Sequence, residues 1–158
     1  VIEALNIFNK ENAHKKILLL INSTGGEEDS GSNIAEAIHA SKAPVYGMVL
    51  KSACSAAFDV LQACKKRIAC SKKSIIMCHA PDLADIRVDQ TDRDEIIKKR
   101  AKAYNNFLRL VVARSRGRLS LKEMHDLSKK EVDIPACHAR RLGLLDRVCY
   151  KKKKKVKK

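Results

Sequence analysis

The chain has 158 residues and a formal net charge of +15, with 45% hydrophobic but only 4% aromatic residues. This length suits one domain with a sizeable core, and a core packed from Ile, Leu, Val and Ala fits an α/β layered protein. No apolar run approaches 18 residues, so we expect neither a membrane span nor a signal peptide. The basic charge comes without an aromatic RNA-binding motif or zinc-finger spacing, which argues against a nucleic-acid partner.

The two ends of the sequence differ from its middle. Residues 151–158 contain seven lysines, and we expect them to form a disordered basic tail behind a single domain over residues 1–150. Residues 1–8 already predict a helix, so we expect a natural N-terminal segment to precede them. The six cysteines form no CxxC pair and lie mostly in apolar runs, which indicates reduced, buried thiols in a cytosol-like compartment.

The first half of the sequence alternates apolar strands with helices. Residues 16–22 and 45–50 predict two buried strands, and each is followed by a turn of small residues. A helix ending near residue 40 is expected between the strands, and an apolar helix is expected from the turn at residues 52–57 to about residue 64. Three residues could cap the first of these helices, namely Asp29, Ser30 and Ser32. This alternation favours right-handed βαβ units and a parallel sheet.

The second half contains one long helix, predicted over residues 90–115. Its apolar side chains recur every three or four residues, a spacing that suits packing against another long helix. The members of this stripe are Ile97, Ala101, Tyr104, Leu108 and Val111. The other predicted elements are strands over residues 67–70, 74–79 and 144–150 and short helices over residues 120–127 and 135–142.

Two turns of small residues could support nucleophilic chemistry. Ser55 lies where the second strand meets its helix, which exposes a hydroxyl beside the free N–H groups of a helix N-terminus. The same serine could instead be an ordinary helix N-cap. Gly25 and Gly26 end the first strand, where N–H groups without Cβ obstruction can bind an anion or oxyanion. A plain strand-to-helix turn is the alternative for this pair.

A histidine and two carboxylates could complete such a site. His79 ends an apolar strand, so its ring would emerge at the edge of the sheet beside Ser55, where it could act as a general base. A serine and histidine pair also needs a carboxylate that fixes the imidazole tautomer. Glu131 and Asp133 lie in the loop before the last short helix, and either could serve or could be an ordinary solvated charge.

Taken in order, these residues resemble the Clp protease proteolytic subunit, a family with the crotonase-like fold. The resemblance runs from about residue 1 to Val148 and is carried by ILLLINSTGG, by MCHAP around His79 and by IPACHARRLGLLD. The sequence follows the family pattern without a gap from Gly25 to Ser55, which places Ser55 on the nucleophile. The resemblance implies an α/β spiral of repeated β-β-α and βαβ units with the long helix as a protruding handle.

The resemblance also implies the remaining site residues. His79 falls on the base, and the backbone N–H groups of Gly26 and Ala56 fall on the oxyanion donors. Counting back without gaps from the C-terminal motif puts Glu131 on the third triad position, where the family has an aspartate. Asp133 would take that place if the register slips.

Four residues near the predicted site depart from the family pattern. Thr24 stands where proline is usual, Lys51 and Ala57 stand where glycine is usual, and Asp59 stands where the family has a large apolar residue. Such changes fit a divergent, weakly active or inactive member. Lys51 beside Ser55 could also support Ser-Lys chemistry, although a solvated lysine is the more ordinary reading.

The function implied by the resemblance is a serine endopeptidase that hydrolyses unfolded polypeptides inside two stacked heptameric rings. A hexameric ATPase unfoldase would be its partner and the only user of ATP, and no metal or small cofactor is implied. The expected location is the cytoplasm or an organelle matrix of bacterial descent. Two alternatives stay open: a catalytically inactive ring subunit with a structural role, and an acyl-CoA enzyme of the same superfold, against which the pairing of Ser55 with His79 speaks.

Overall fold

The structure of the chain, a computed structural model, describes residues 1–81 and 90–149, so the predicted tail at 151–158 lies outside the described residues. The helices are α1 (Ile2–Glu11), α2 (Glu28–Ala40), α3 (Ala56–Ala63), α4 (Gln90–Arg114), α5 (Leu121–Lys130) and α6 (Ala136–Arg141). The strands are β1 (Ile17–Ser23), β2 (Val45–Cys54), β3 (Lys66–Ala69), β4 (Ile75–Met77), β5 (Ile134–Pro135) and β6 (Arg147–Val148).

The strands form one curled sheet in the order β5, β4, β2, β3 and β6, and β1 pairs with β2 as well. All pairs are parallel except β4 with β5. Parallel neighbours need crossover connections, which α2 and α3 supply between successive strands. The α/β fold with a parallel sheet, predicted from the alternation of apolar runs and helices, is therefore confirmed.

Strand β2 organises the sheet because it has three neighbours: β1 along most of its length, β3 near its start and β4 at its end. Residues 45–49 lie between β1 and β3, whereas residues 52–54 pair with residues 75–77 of β4. The sequence prediction ended this strand at residue 50 and made residues 52–54 part of a turn, which was wrong. These small residues have weak strand propensity, but the ladder to β4 outweighs it. The strand thus runs up to the residue before Ser55.

Helix α4 has 25 residues and matches the long helix predicted from the apolar stripe. Leu108 and Val111 of that stripe are buried, while Ile97, Ala101 and Tyr104 are only partly buried. The buried end packs on the core, where the rings of Phe58 and Phe107 meet edge to face at a centroid distance of 6.2 Å. Within the described part of the chain, the other end of α4 keeps its apolar stripe only partly covered.

Several local predictions were wrong. Helix α2 begins at Glu28 with Glu27 at its N-cap, and none of the three predicted capping side chains caps it. The carboxylates of Glu28 and Asp29 instead lie in the first turn, where the helix dipole favours negative charge. Strand β5 was not predicted, because two residues that pair only through tertiary contact leave no periodic signal. The last strand covers only two residues of the predicted 144–150.

The cysteines divide between buried and exposed positions. Cys54, Cys64 and Cys78 are buried, and burial raises the pKa of both Cys64 and Cys78 to about 12, which keeps these thiols protonated. Cys70, by contrast, is exposed. All six are free thiols, as the sequence predicted, but the expectation that they are buried holds only in part.

A buried arginine ties the C-terminal segment to the sheet. Arg67 is 2% exposed and donates to Asp146 Oδ1 from Nη2 at 2.9 Å and to Gln62 Oε1 from Nη1 at 2.8 Å. Burial opposes the charge on Asp146, yet the hydrogen bonds and charge of Arg67 hold the pKa of that carboxyl below its usual range. This network fixes the chain that follows α6 against β3.

Candidate active site

The parallel pairing of β2 with β4 brings the predicted nucleophile and base together. The N–H of Ser55, just past the end of β2, donates to the carbonyl of Met77, the last residue of β4, at 3.0 Å. His79 follows two residues later, and its Nε2 lies 2.6 Å from the Ser55 Oγ. The two side chains meet because parallel neighbours end at the same edge of a sheet.

The surroundings of His79 fix which ring nitrogen carries the hydrogen. Nδ1 lies 2.7 Å from the carbonyl oxygen of Ala80. A carbonyl can only accept, so Nδ1 carries the hydrogen of the neutral ring and Nε2 is the acceptor for the Ser55 hydroxyl. The hydroxyl of Tyr104 on α4 donates to the His79 carbonyl at 3.2 Å. The apolar spacing of α4 predicted a packing role for Tyr104, and no signal in the sequence indicated this contact.

The backbone of Ser55 is held in a strained conformation. Its φ of 54° and ψ of −130° are rare for a residue with a side chain and cost on the order of 1–3 kcal/mol. Ser55 does occupy the N-cap position of α3, but its side chain makes no capping hydrogen bond. Its hydroxyl contacts His79 instead, so the strain presents the oxygen to the histidine rather than to the helix.

The glycine turn after β1 lies against this serine. Gly25 has a φ of 116°, and a Cβ added to it would lie 2.6 Å from the Ser55 Cβ and 3.1 Å from its Oγ. Only glycine fits such a position. Gly26 and Ala56 border the same cavity as Ser55, and neither N–H is hydrogen-bonded within the described ranges. Both groups are therefore free to donate to an oxyanion.

The two candidate carboxylates lie at different distances from His79. Antiparallel pairing of β4 with β5 brings their loop to the site, and Glu131 Oε1 lies 4.0 Å from His79 Nδ1. That side chain is 66% exposed. Asp133 makes no hydrogen bond or ion pair with another described residue. Burial of the Cys54 thiol raises its pKa, and the negative charge of Asp133 raises it further. The third site member stays a prediction, with Glu131 the nearer group.

A cavity of about 480 Å³ opens beside the serine and histidine pair. Besides Ser55 and His79, its lining residues include Gly26, Glu27, Glu28, Asp29, Ala56, Asp59, Arg100 and Tyr104. Lys51 is exposed and does not border this cavity, so the geometry gives no support to Ser-Lys chemistry. The arrangement can activate a serine hydroxyl beside a space large enough for a short stretch of polypeptide.

The fold, the paired side chains and the glycine turn agree with a comparison against protein-family models. The model described as Clp protease matches residues 1–152. The chain belongs to the Clp protease family. This family consists of peptidases, and its members generally form oligomeric rings that work with ATPases.

Two further findings on this Clp protease family member concern metal binding and membrane-spanning helices. Over residues 1–81 and 90–149, no group of His, Cys, Asp or Glu side chains could hold a metal ion. None of the helices in that part of the chain is long and apolar enough to cross a membrane.

Proposed function

We propose that this chain is a serine endopeptidase, the proteolytic subunit of an ATP-dependent Clp-type protease, with Ser55 as nucleophile and His79 as general base. The observation that carries the proposal is the 2.6 Å hydrogen bond between Ser55 Oγ and His79 Nε2, in the tautomer that lets the ring accept the hydroxyl proton. Family membership supports the reaction class, since peptide hydrolysis is the chemistry of these proteins.

The reaction proceeds in two halves. Ser55 Oγ attacks the carbonyl carbon of the scissile peptide bond while His79 Nε2 takes its proton, and the imidazolium then protonates the leaving amine as the C–N bond breaks. Water attacks the resulting ester in the second half, again giving its proton to His79, which returns it to Ser55 as the ester bond breaks. The N–H groups of Gly26 and Ala56 donate to the oxyanion formed in each half.

The orientation of His79 has two sources of support in this proposal. The Ala80 carbonyl at 2.7 Å holds the Nδ1–H, and Glu131 at 4.0 Å stabilises the imidazolium by its charge. Water screens the charge of Glu131, because that side chain is mostly exposed. The Ala80 carbonyl therefore contributes more to holding the His79 ring in place than it would if a buried aspartate were also present.

Assembly is part of the proposal. We expect two stacked heptameric rings that receive unfolded polypeptide from a hexameric ATPase, in the cytoplasm or an organelle matrix of bacterial descent. Leu18 and Leu20 on β1 support self-association, because both are more than half exposed on the same face of the strand.

A second candidate is a catalytically inactive ring subunit. One observation favours it: His79 Nδ1 bonds a backbone carbonyl, and no carboxylate among the described residues lies within hydrogen-bond distance of it. Without a hydrogen-bonded carboxylate to stabilise the imidazolium, Ser55 would be a weak nucleophile.

Peptide hydrolysis by the purified protein, assayed with and without a Clp-type ATPase, separates the two candidates. We expect Ser55→Ala and His79→Ala each to remove activity by several orders of magnitude while the oligomer survives. Ser30→Ala, which removes an exposed hydroxyl on α2, is the matched control and keeps full activity. A wild-type protein that forms rings but hydrolyses nothing would favour the inactive subunit.

A further inference from the structure

The cavity beside Ser55 contains an acidic side chain that the proposed mechanism does not use. Asp59 lies one turn into α3, and its N–H bonds the Ser55 carbonyl at 3.4 Å, so residues 55 and 59 lie on the same face of the helix. Ser55 and Asp59 both line this cavity, so a substrate that occupies it contacts both residues.

The Asp59 carboxylate has no bound cation among the residues that the structure describes. Among the described residues, none donates a hydrogen bond to Asp59 or forms an ion pair with it. The nearest basic side chain in the lining, Arg100, is engaged elsewhere, because its Nη1 lies 3.6 Å from Glu28 Oε2. Within the described ranges, the Asp59 carboxylate thus has no ion partner, although Arg100 borders the same cavity.

The surroundings of Asp59 disfavour its charged form as long as no cation is bound. Burial first, and the charge of Glu28 second, raise the pKa of Asp59 to about 7. Tyr104 and Cys78 also face Asp59, and both are neutral near pH 7 because their pKa values are raised to about 12. A cation entering the cavity would stabilise the ionised form of Asp59, because its charge compensates for the hydration that the carboxylate loses on burial.

We infer that Asp59 is a specificity-determining residue, and that its carboxylate binds the positively charged side chain of a lysine or arginine whose carbonyl Ser55 attacks. This inference rests on the proposed peptidase function and deepens it. A lysine or arginine side chain has an apolar stem that the cavity wall can cover and a charged head that reaches one helical turn away. A leucine in the same place would leave Asp59 buried beside an apolar group, which disfavours the ionised form.

Two peptide substrates that differ only at this position test the inference. We compare kcat/KM for a fluorogenic peptide with arginine before the scissile bond and for its leucine analogue. Wild-type protein at pH 8 should prefer arginine by about tenfold or more, the ratio produced by 1.4 kcal/mol of differential binding. Asp59→Asn should remove that preference, mainly by raising KM for the arginine peptide. Asp59→Leu should make the leucine peptide the better substrate. Glu3→Gln, which changes an exposed acid on α1 that lines neither cavity bordered by Asp59, should leave the wild-type preference unchanged.

The pH dependence adds a second readout. Protonation of Asp59 as the pH falls from 8 to 6 should lower the arginine preference in the wild type but not in Asp59→Asn. A wild-type preference for leucine, or an arginine preference that persists in Asp59→Asn, would overturn the inference.

A binding measurement tests the inference independently of whether the protein is an active peptidase. Ser55→Ala cannot turn over, so calorimetry can measure its binding of acetyl-Ala-Ala-Arg-amide and acetyl-Ala-Ala-Leu-amide directly. Tighter binding of the arginine peptide that Asp59→Asn abolishes in this background supports the inference even if the wild type hydrolyses nothing. Equal binding of the two peptides refutes it even if Ser55 is an active nucleophile.

Discussion

Replacing Asp59 by asparagine should stabilise the protein, and by an amount that depends on pH. Burial and the charge of Glu28 raise the pKa of Asp59 from its usual 3.8 to about 7. The stability that the protonated side chain contributes is therefore fully present below pH 3.8 and is lost as the pH rises through about 7. Asparagine has nearly the same shape and cannot ionise, so it escapes that loss.

The size of the effect follows from proton linkage. Between pH 5 and pH 7 the unfolded state has lost the Asp59 proton while the folded state largely keeps it, and each pH unit is worth about 1.4 kcal/mol. The stability advantage of Asp59→Asn over wild type should thus grow by about 2–3 kcal/mol across this interval and then level off. For a chain of this length the matching change in the Tm difference is about 4–12 °C.

Thermal unfolding of wild type and Asp59→Asn, recorded at pH 5, 6, 7 and 8 and at one protein concentration, measures this difference. Glu3→Gln, at an exposed acid on α1, is the control and should show no such trend. A Tm difference that stays constant with pH, or a variant less stable than wild type at pH 8, would show that Asp59 is not the buried, uncompensated acid described above.

Four further substitutions test three separate parts of the structure. Gly25→Ala should abolish peptide hydrolysis, because the new Cβ would lie 2.6 Å from the Ser55 Cβ; a variant with normal kcat would contradict the tight turn. Glu131→Gln should lower kcat by about 10–100-fold and Asp133→Asn by less than about threefold, since only Glu131 lies 4.0 Å from the base; the reverse ranking would move the role to Asp133. Asp146→Ala should cost about 3–5 kcal/mol in urea unfolding, because it leaves Arg67 buried without its ion partner, and a cost below about 1 kcal/mol would refute that account.

The sequence predicted those features of the site that depend on local pattern. Turns of small residues at strand ends predicted Ser55 and the glycine turn as site residues, and the position of His79 at the end of an apolar run predicted its role. The parallel order of the strands then brought the serine and histidine together, as expected from βαβ connections. These features were predictable because each depends on a few consecutive residues and a general rule of sheet topology.

Other features depend on contacts between distant segments and left no local signal. The bond from His79 Nδ1 to the Ala80 carbonyl depends on a side-chain torsion, and the bond from Tyr104 depends on how α4 crosses the sheet. The extension of β2 to Cys54 depends on pairing with β4 and overrides the weak strand propensity of small residues. Asp59 was visible as a departure from the family pattern, but its place in the cavity required the fold.

Covalent labelling of Ser55 tests the central claim most directly. The wild-type protein is incubated with a fluorophosphonate at pH 8, digested and mapped by mass spectrometry. The account predicts one modified residue, Ser55, with labelling abolished in Ser55→Ala, slowed by at least about 100-fold in His79→Ala and unchanged in Ser30→Ala. A wild-type protein that stays unlabelled at Ser55 while correctly folded, or one labelled equally fast without His79, would contradict the claim that this pair forms a serine peptidase site.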